Sequence, residues 1–129
     1  MIVVDAAAVV DLLIGDERVR LAVRDELQAR APVHAPDLLT LEVLSALARA
    51  ARRRALTRAE LRAVLEAHAS LRIARHRSHP LWRRIADLTA RHSSYDAAYV
   101  ALAEMLAAPL LTTDRRLARA VTSAEVILV

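Results

Sequence analysis

Short apolar runs alternate along the chain with longer amphipathic segments, and the two patterns predict different elements. The runs are a few residues long and rich in Val, Ile and Leu, which is typical of buried strands. The predicted strands are Ile2–Val4, Val33–Ala35, Leu71–Arg75, Pro109–Thr112 and Val126–Val129. Strands that alternate with helices need crossover connections, so this order predicts a parallel sheet covered by helices on both faces.

The longer segments carry helix signals. Thr57-Arg58-Ala59-Glu60 has the pattern of a capping box, and Val19, Val23 and Leu27 recur at helical spacing. The predicted helices are Asp16–Arg30, Leu38 to about Ala51, Thr57 to about Ala69, Pro80–Arg91, Tyr95–Ala107 capped by Ser93 or Ser94, and Asp114–Val121. No repeat or linker interrupts the series. We therefore expect a single α/β domain over residues 1–129, a three-layer α/β/α fold with a short parallel sheet of about four or five strands.

The composition supports a packed domain and indicates the cellular compartment in which it folds. Leu, Val and Ile contribute 21, 13 and 5 residues, enough for a sizeable core, and no apolar run has the length of a membrane span. The start of the chain, Met1–Val10, carries Asp5 and no basic residue, which is unlike a signal peptide. The absence of Cys excludes disulfides and thiolate zinc sites. We expect a cytoplasmic protein.

Two further absences exclude whole classes of chemistry. All 19 basic residues are Arg, and Gly15 is the single glycine. A phosphate-binding P-loop needs a Lys, a dinucleotide fingerprint needs three glycines, and Schiff-base catalysis needs a Lys. The net charge of +4 favours a polyanion or an acidic protein as partner, although coding bias explains an Arg-rich and Ala-rich composition equally well.

Acidic residues follow two of the predicted strands. Asp5 comes directly after Ile2–Val4 and Asp114 shortly after Leu110–Thr112, at the carboxyl ends where parallel sheets bind ligands. Asp5 lies in apolar sequence, where an unpaired carboxylate is costly. A simpler interpretation is that Asp5 and Asp114 cap the helices that follow, and that Asp96 only complements the dipole of its helix.

Glu42 is the one acid in the otherwise apolar stretch Leu38–Ala51. Projected on a helix, it lies away from Leu41, Leu44 and Leu47 and close to Ser45 and Arg49. That position alone predicts a solvated face rather than a ligand.

Taken together, the strand-end acids make a stronger case. Two carboxylates about 4 Å apart repel by about 4 kcal/mol at an effective dielectric constant of 20. Such a cluster takes up protons or binds a hard cation, and oxygen ligands without Cys favour Mg²⁺ or Mn²⁺. A carboxylate-held divalent cation in a basic protein suits phosphodiester chemistry.

Four stretches of the chain together resemble a PIN domain, and more narrowly the VapC-type ribonuclease toxins of bacterial toxin–antitoxin pairs. They are Asp5 after its strand, Glu42 in its apolar helix, Tyr95-Asp96-Ala97-Ala98-Tyr99-Val100-Ala101-Leu102-Ala103, and Leu111-Thr112-Thr113-Asp114-Arg115-Arg116-Leu117. The resemblance covers the whole chain. It implies a metal-dependent endoribonuclease whose Mg²⁺ or Mn²⁺ is held by Asp5, Glu42, Asp96 and Asp114. It also implies an RNA substrate, a cognate antitoxin and a homodimer.

One position departs from the family pattern. Ala7 stands where a Ser or Thr usually follows the first Asp by two residues, so a hydroxyl that could orient water is missing. Thr112 or Thr113 could supply one instead. The departure keeps open a second interpretation, a PIN-like protein with weakened catalysis that binds RNA or a partner.

Basic and hydroxyl side chains near Asp114 are candidates for substrate contact. Arg115 and Arg116 follow Asp114, and arginine grips phosphates bidentately, so we expect these two and Thr112 to contact substrate. The run Arg52-Arg53-Arg54 complements a helix end or contacts RNA. Aromatic residues are few, so we expect poor base-stacking platforms and salt-dependent binding through phosphates.

The five histidines do not predict a zinc site. His76 and His79 have H-x-x-H spacing, but the chain has no Cys and no H-E-x-x-H motif, and we expect the histidines at the surface. An alternative α/β fold with acids at its strand ends is the phospho-acceptor receiver domain. Such domains have a lysine, and this chain has none.

Overall fold

The computed structural model describes residues 1–129, and its centre is a five-stranded sheet in which every pairing is parallel. Strands β1 to β5 are Ile2–Val4, Val33–Pro36, Ile73–His76, Leu110–Thr112 and Val126–Leu128. They lie in the order β3-β2-β1-β4-β5. The β-branched strand β1 is therefore central, and all three of its residues are fully buried. The predicted parallel sheet is confirmed.

Seven α-helices flank the sheet. Helices α1 to α7 are Ala6–Ile14, Glu17–Ala29, Leu39–Arg52, Arg58–Ser70, Trp82–Leu88, Ser94–Leu106 and Arg115–Ala120. Two predicted caps are present, since Thr57 and Glu60 form the capping box of α4 and Ser93 caps α6. Asp16, the first residue of the predicted Asp16–Arg30 helix, caps α2. None of the helices combines the length and hydropathy needed to cross a membrane.

Three elements differ from the sequence prediction. The pattern gave no bounds for α1, a nine-residue helix that Asp5 caps. The helix predicted over Pro80–Arg91 is shorter: a 3-10 turn, His79–Leu81, leads into α5, which ends at Leu88. Strand β3 starts at Ile73 because the Leu71 amide still bonds to the end of α4.

The core forms between the sheet and its closest helices. Helix α6 packs against β1, β2 and β4, and its residues 97–103 are all buried. Four of those seven residues are alanines, and their small side chains let the helix approach the sheet closely. Helix α1 packs against α2, α3 and β4. This packing fixes the N-terminal turn of α6 beside the carboxyl edge of the sheet.

Candidate active site

The four acids named from the sequence gather at the carboxyl edge of the sheet. Asp5 follows β1 and caps α1, and Asp114 follows β4 and caps α7. Asp96 lies in the first turn of α6, and Glu42 in the first turn of α3, the helix that follows β2. Since β1 is paired with both β2 and β4, the fold brings these four helix starts together.

Asp5 is the most buried of the acids, with 4% of its surface exposed. Its Oδ1 accepts a hydrogen bond from the Ala8 amide (2.8 Å), and its Oδ2 accepts one from Thr112 Oγ1. Burial raises the pKa of Asp5 to about 7 despite these bonds, and the charges of Asp114 and Asp96 add to the rise. Asp5 therefore does cap α1, but it also carries a poorly solvated carboxyl group beside two others.

Thr112 is fully buried, and its hydroxyl is engaged on both sides. It donates to Asp5 and accepts from the Asp114 amide at 2.9 Å. The side chain therefore joins the ends of β1 and β4 from within the protein, rather than facing the solvent where substrate contact was predicted.

Glu42 is half-buried and paired with an aromatic hydroxyl. Tyr99 Oη donates to Glu42 Oε2 at 2.6 Å, and Tyr99 is almost wholly buried. Burial raises the pKa of Glu42, the Tyr99 bond lowers it, and the Asp96 charge raises it again. The predicted solvated face is only partly correct: Ser45 and Arg49 are exposed, but Glu42 is half-buried. Of the three leucines projected away from Glu42, Leu47 is buried, whereas Leu41 and Leu44 are exposed.

Arg116 bridges the two remaining acids. Its Nη2 lies 3.1 Å from Asp96 Oδ2 and 3.2 Å from Asp114 Oδ2, although 70% of the side chain is exposed. Asp114 Oδ1 also accepts from the Arg116 and Leu117 amides, at 2.7 and 3.2 Å. Arg115 is exposed and makes no ion pair. Of the two arginines predicted to contact substrate, one is thus held by acids and the other is free.

The oxygen atoms at this edge fit a hard divalent cation, although the carboxylates bond to Thr112, Tyr99 and Arg116. No group of three acidic or histidine side chains converges closely enough to hold a metal ion. Two observations nevertheless indicate a demand for positive charge: the raised pKa of Asp5, and a guanidinium seated on Asp96 and Asp114. All the donors are carboxylate oxygens, the ligands that Mg²⁺ and Mn²⁺ prefer.

Tyr99 is the residue at this site to which the sequence assigned no role. It lies one helical turn after Asp96, and this i, i+3 spacing puts both near one face of α6. A tyrosine buried among alanines needs a partner for its hydroxyl, and this need is a sequence signal for a nearby hydrogen-bond acceptor.

The histidines are not all at the surface, which corrects another expectation. His68 is buried at 6% exposure, and its Nδ1 has no hydrogen-bond partner. His34 on β2 is partly buried, and its Nδ1 lies 2.9 Å from Nε2 of His76 on β3. Histidine is amphipathic, so composition alone does not separate a packed ring from an exposed one.

Known proteins resemble this chain over most of its length. The family model for the PIN domain matches residues 2–122. Ribonuclease VapC9 of Mycobacterium tuberculosis is 40% identical over 117 residues, covering 91% of this chain and 88% of the relative. Ribonuclease VapC3 of the same species is 45% identical over 130 aligned positions, covering 98% and 91%.

Solved structures share the fold at lower identity. VapC20 of Mycobacterium tuberculosis, described as a sarcin–ricin loop cleaving toxin, superposes with a TM-score of 0.69 at 18% identity, covering 93% of this chain and 95% of that one. A toxin–antitoxin complex from Klebsiella pneumoniae contains a chain with a TM-score of 0.67 at 16% identity, covering 98% and 96%. Because the family model matches residues 2–122 and relatives of 40% and 45% identity cover 91% and 98% of the chain, this chain belongs to the PIN-domain family and, within it, to the VapC ribonucleases.

Proposed function

We propose that this protein is a metal-dependent endoribonuclease that hydrolyses RNA phosphodiester bonds and acts as the toxin of a toxin–antitoxin pair. The observation that carries the proposal is the buried carboxyl group of Asp5, crowded by the charges of Asp96 and Asp114 at the carboxyl edge of the sheet. A fold gains no stability from such crowding, so the cluster points to a function that needs it.

The residues proposed to hold Mg²⁺ or Mn²⁺ are Asp5, Glu42, Asp96 and Asp114. When bound, a divalent cation lowers the pKa of water and stabilises the negative charge that develops on the phosphate and the leaving oxygen. No side-chain nucleophile is needed, which agrees with the absence of Cys and Lys.

Other residues of the site have supporting roles. Thr112 orients Asp5 through its hydroxyl, and Tyr99 orients Glu42 in the same way. Arg115 is free to bind a substrate phosphate, and Arg116 becomes free to do so once its acids bind a cation instead. Thr112 and Tyr99 therefore position proposed metal ligands, whereas the two arginines contact the RNA directly.

The alternative, a PIN-like protein that binds RNA or a partner with weakened catalysis, rests on Ala7. The Thr112 hydroxyl lies at Asp5, but it is buried and doubly engaged, so it orients the carboxylate rather than water. The four acids are nevertheless all present at one edge. We therefore favour an active enzyme.

The proposed partners follow from the family. An antitoxin partner is supported by the likeness to a chain of a toxin–antitoxin complex. A homodimer is supported by large apolar side chains that remain exposed, such as Met105 and Leu128. A cytoplasmic location, where RNA and antitoxin are found, agrees with a chain that has no cysteine.

The direct test is cleavage of total cellular RNA by the purified protein without its antitoxin. We expect discrete fragments with Mg²⁺ or Mn²⁺ that disappear with EDTA and in the Asp96→Asn variant. Asp37→Asn is the matched control, because Asp37 is an exposed aspartate whose side chain bonds only to Ser78. Intact RNA under every metal condition, from a folded protein, would favour the alternative, and Ala7→Ser would then test whether a hydroxyl restores cleavage.

A further inference from the structure

A pocket adjoins the acids on the side of α3. It opens between α3 and the first turn of α6, has a volume of about 360 Å³ and is lined by Leu38, Leu41, Glu42, Ser45, Arg49 and Tyr95. That volume lies within the range of small-ligand sites. Glu42 belongs both to this pocket and to the acid cluster, and Tyr95 directly precedes Asp96. Whatever enters the pocket therefore lies next to the proposed site of cleavage.

The walls of the pocket expose apolar and aromatic surface that a folded chain normally covers. Tyr95 is 59% exposed and Leu41 is 69% exposed. An aromatic face opposite an aliphatic side chain suits a flat ring. Nucleobases of every kind stack on such faces, because each base has a π-surface.

Charge is distributed unequally along the pocket. Glu42, Ser45 and Arg49 follow one another at i, i+3 and i+7, which places them in a row on one face of α3. The row is acidic at the end beside the site and basic at the other. Arg49 makes no ion pair, and the exposed Arg52 and Arg53 follow it at the end of the helix. A phosphate is attracted to the Arg49 end and repelled from the Glu42 end.

We propose that this pocket binds the base of an unpaired ribonucleotide next to the scissile phosphate. The base stacks on Tyr95 against Leu41, the Ser45 hydroxyl faces its polar edge, and Arg49 binds the phosphate on the far side. The inference rests on the proposed RNA substrate and adds a subsite that selects single-stranded RNA and contributes to the choice of cleavage site. It differs from the expectation of poor stacking platforms in requiring only one well-placed tyrosine.

The test compares two fluorescent probes, each measured by anisotropy in EDTA so that neither is cleaved. One is a single-stranded RNA of about twelve nucleotides and mixed sequence, and the other is an oligomer of equal length built from abasic spacers. The abasic probe keeps the phosphates and lacks the bases. The variants are Tyr95→Ala, Tyr95→Phe and Arg49→Gln. The controls are Trp82→Ala, which removes an exposed aromatic elsewhere, and Arg20→Gln, which removes an unpaired arginine of α2.

The proposal expects different patterns from the two side chains. Tyr95→Ala weakens binding of the RNA by about 5-fold to 50-fold and leaves the abasic probe unchanged, while Tyr95→Phe binds both as the wild type does. Arg49→Gln weakens both probes and reduces the salt dependence by about one phosphate contact. The two controls bind both probes normally.

Several outcomes would overturn the subsite. One is an equal effect of Tyr95→Ala on both probes, and another is no effect on either. A third is a change of molecular mass by light scattering at unchanged RNA affinity, which would make the pocket an interface between copies of the chain. If the wild type cleaves RNA and these outcomes appear, only the subsite fails. If the wild type neither binds nor cleaves RNA, the proposed function fails with it.

Discussion

The interior of this protein holds two groups of titratable side chains, and the two solve the problem of burial differently. At the edge of β2 and β3, burial lowers the pKa of His34 and His68, as do the neighbouring His76 and Arg75 respectively. These rings are neutral near pH 7, and a neutral imidazole needs no counter-charge. At the end of β1 and β4, burial raises the pKa of Asp5 to about 7, and two more carboxyl groups lie nearby.

The difference shows which group the fold can accommodate on its own. The two histidines are neutral near pH 7 and pack in the interior without a counter-charge. The acids instead depend on donors from other parts of the chain, namely the hydroxyl groups of Thr112 and Tyr99 and the guanidinium of Arg116. A cluster that needs this much support is retained for chemistry, whereas the histidines require no function to explain them.

The largest expected effect separates the two roles of Asp5. Asp5→Asn should reduce RNA cleavage by about 100-fold or more, since losing a direct ligand costs at least as much as losing the groups behind it. Removing the buried charge should leave the free energy of unfolding at pH 8 unchanged or raise it by about 1–2 kcal/mol. Cleavage assays and denaturant unfolding check the two parts. Asp16→Asn is the matched control, because Asp16 caps α2 in the same way while exposed.

If Asp16→Asn and Asp5→Asn lost stability alike while both kept activity, Asp5 would be a cap and nothing more.

A smaller effect is expected at Tyr99. Tyr99→Phe removes the hydrogen bond to Glu42 and leaves that half-buried carboxyl group without its donor. Mn²⁺ affinity, measured by calorimetry, should fall by about 10-fold, the usual size of such a supporting contact. Tyr95→Phe makes the same chemical change one turn earlier on an exposed residue, and it should leave Mn²⁺ affinity unchanged. Equal Mn²⁺ affinities in the wild type, Tyr99→Phe and Tyr95→Phe would show that Tyr99 does not support the cation site.

Arg116 should act in the opposite direction. Its guanidinium and a divalent cation compete for the oxygens of Asp96 and Asp114, so Arg116→Gln should tighten Mn²⁺ binding by about 3-fold to 5-fold. Arg115→Gln removes the same charge from the neighbouring residue, which touches no acid, and should change affinity less. Weaker Mn²⁺ binding in Arg116→Gln than in Arg115→Gln would show that Arg116 organises the acids instead of competing for them.

The smallest effect belongs to the histidines. Because burial lowers the pKa of His68, the unfolded chain binds more protons than the folded one as the pH falls through about 6.5. Stability should therefore be fully present above about pH 7 and decline below it, by less than about 1 kcal/mol for this residue. His68→Leu should flatten that part of the curve in urea unfolding. A decline of the same size in the variant would assign it to other groups.

Much of the fold could be predicted because its signals are local. The β-branched run of β1, the capping box at Thr57 and the cap at Ser93 are short patterns with direct physical causes, and all three elements are where they were expected. The sequence did not predict the bounds of helix α1, because Ala6–Ile14 has only one polar residue, Asp11, and therefore no clear polar face.

The site was harder, because its contacts join distant parts of the chain. Glu42 and Tyr99 lie 57 residues apart, and Thr112 and Asp5 lie 107 apart. Helical projection of α3 grouped Leu41, Leu44 and Leu47 together, but only Leu47 is buried, since which leucines are covered depends on where α1 and α4 pack. Resemblance to a family named the four acids. The local pattern alone did not distinguish them from caps and solvated residues, and Asp5 is a cap that also lies within the acid cluster.

The most direct test of the account is calorimetric titration of Mn²⁺ into the wild type and Asp114→Asn, with Asp37→Asn as control. Asp114 and Asp37 both follow strands at the carboxyl edge of the sheet, but only Asp114 is joined to Asp96 through Arg116, whereas the Asp37 side chain bonds to Ser78. We expect saturable binding by the wild type and Asp37→Asn, and its loss in Asp114→Asn. Identical isotherms for all three proteins, or no binding by a folded wild type, would contradict the claim that these acids form a divalent cation site.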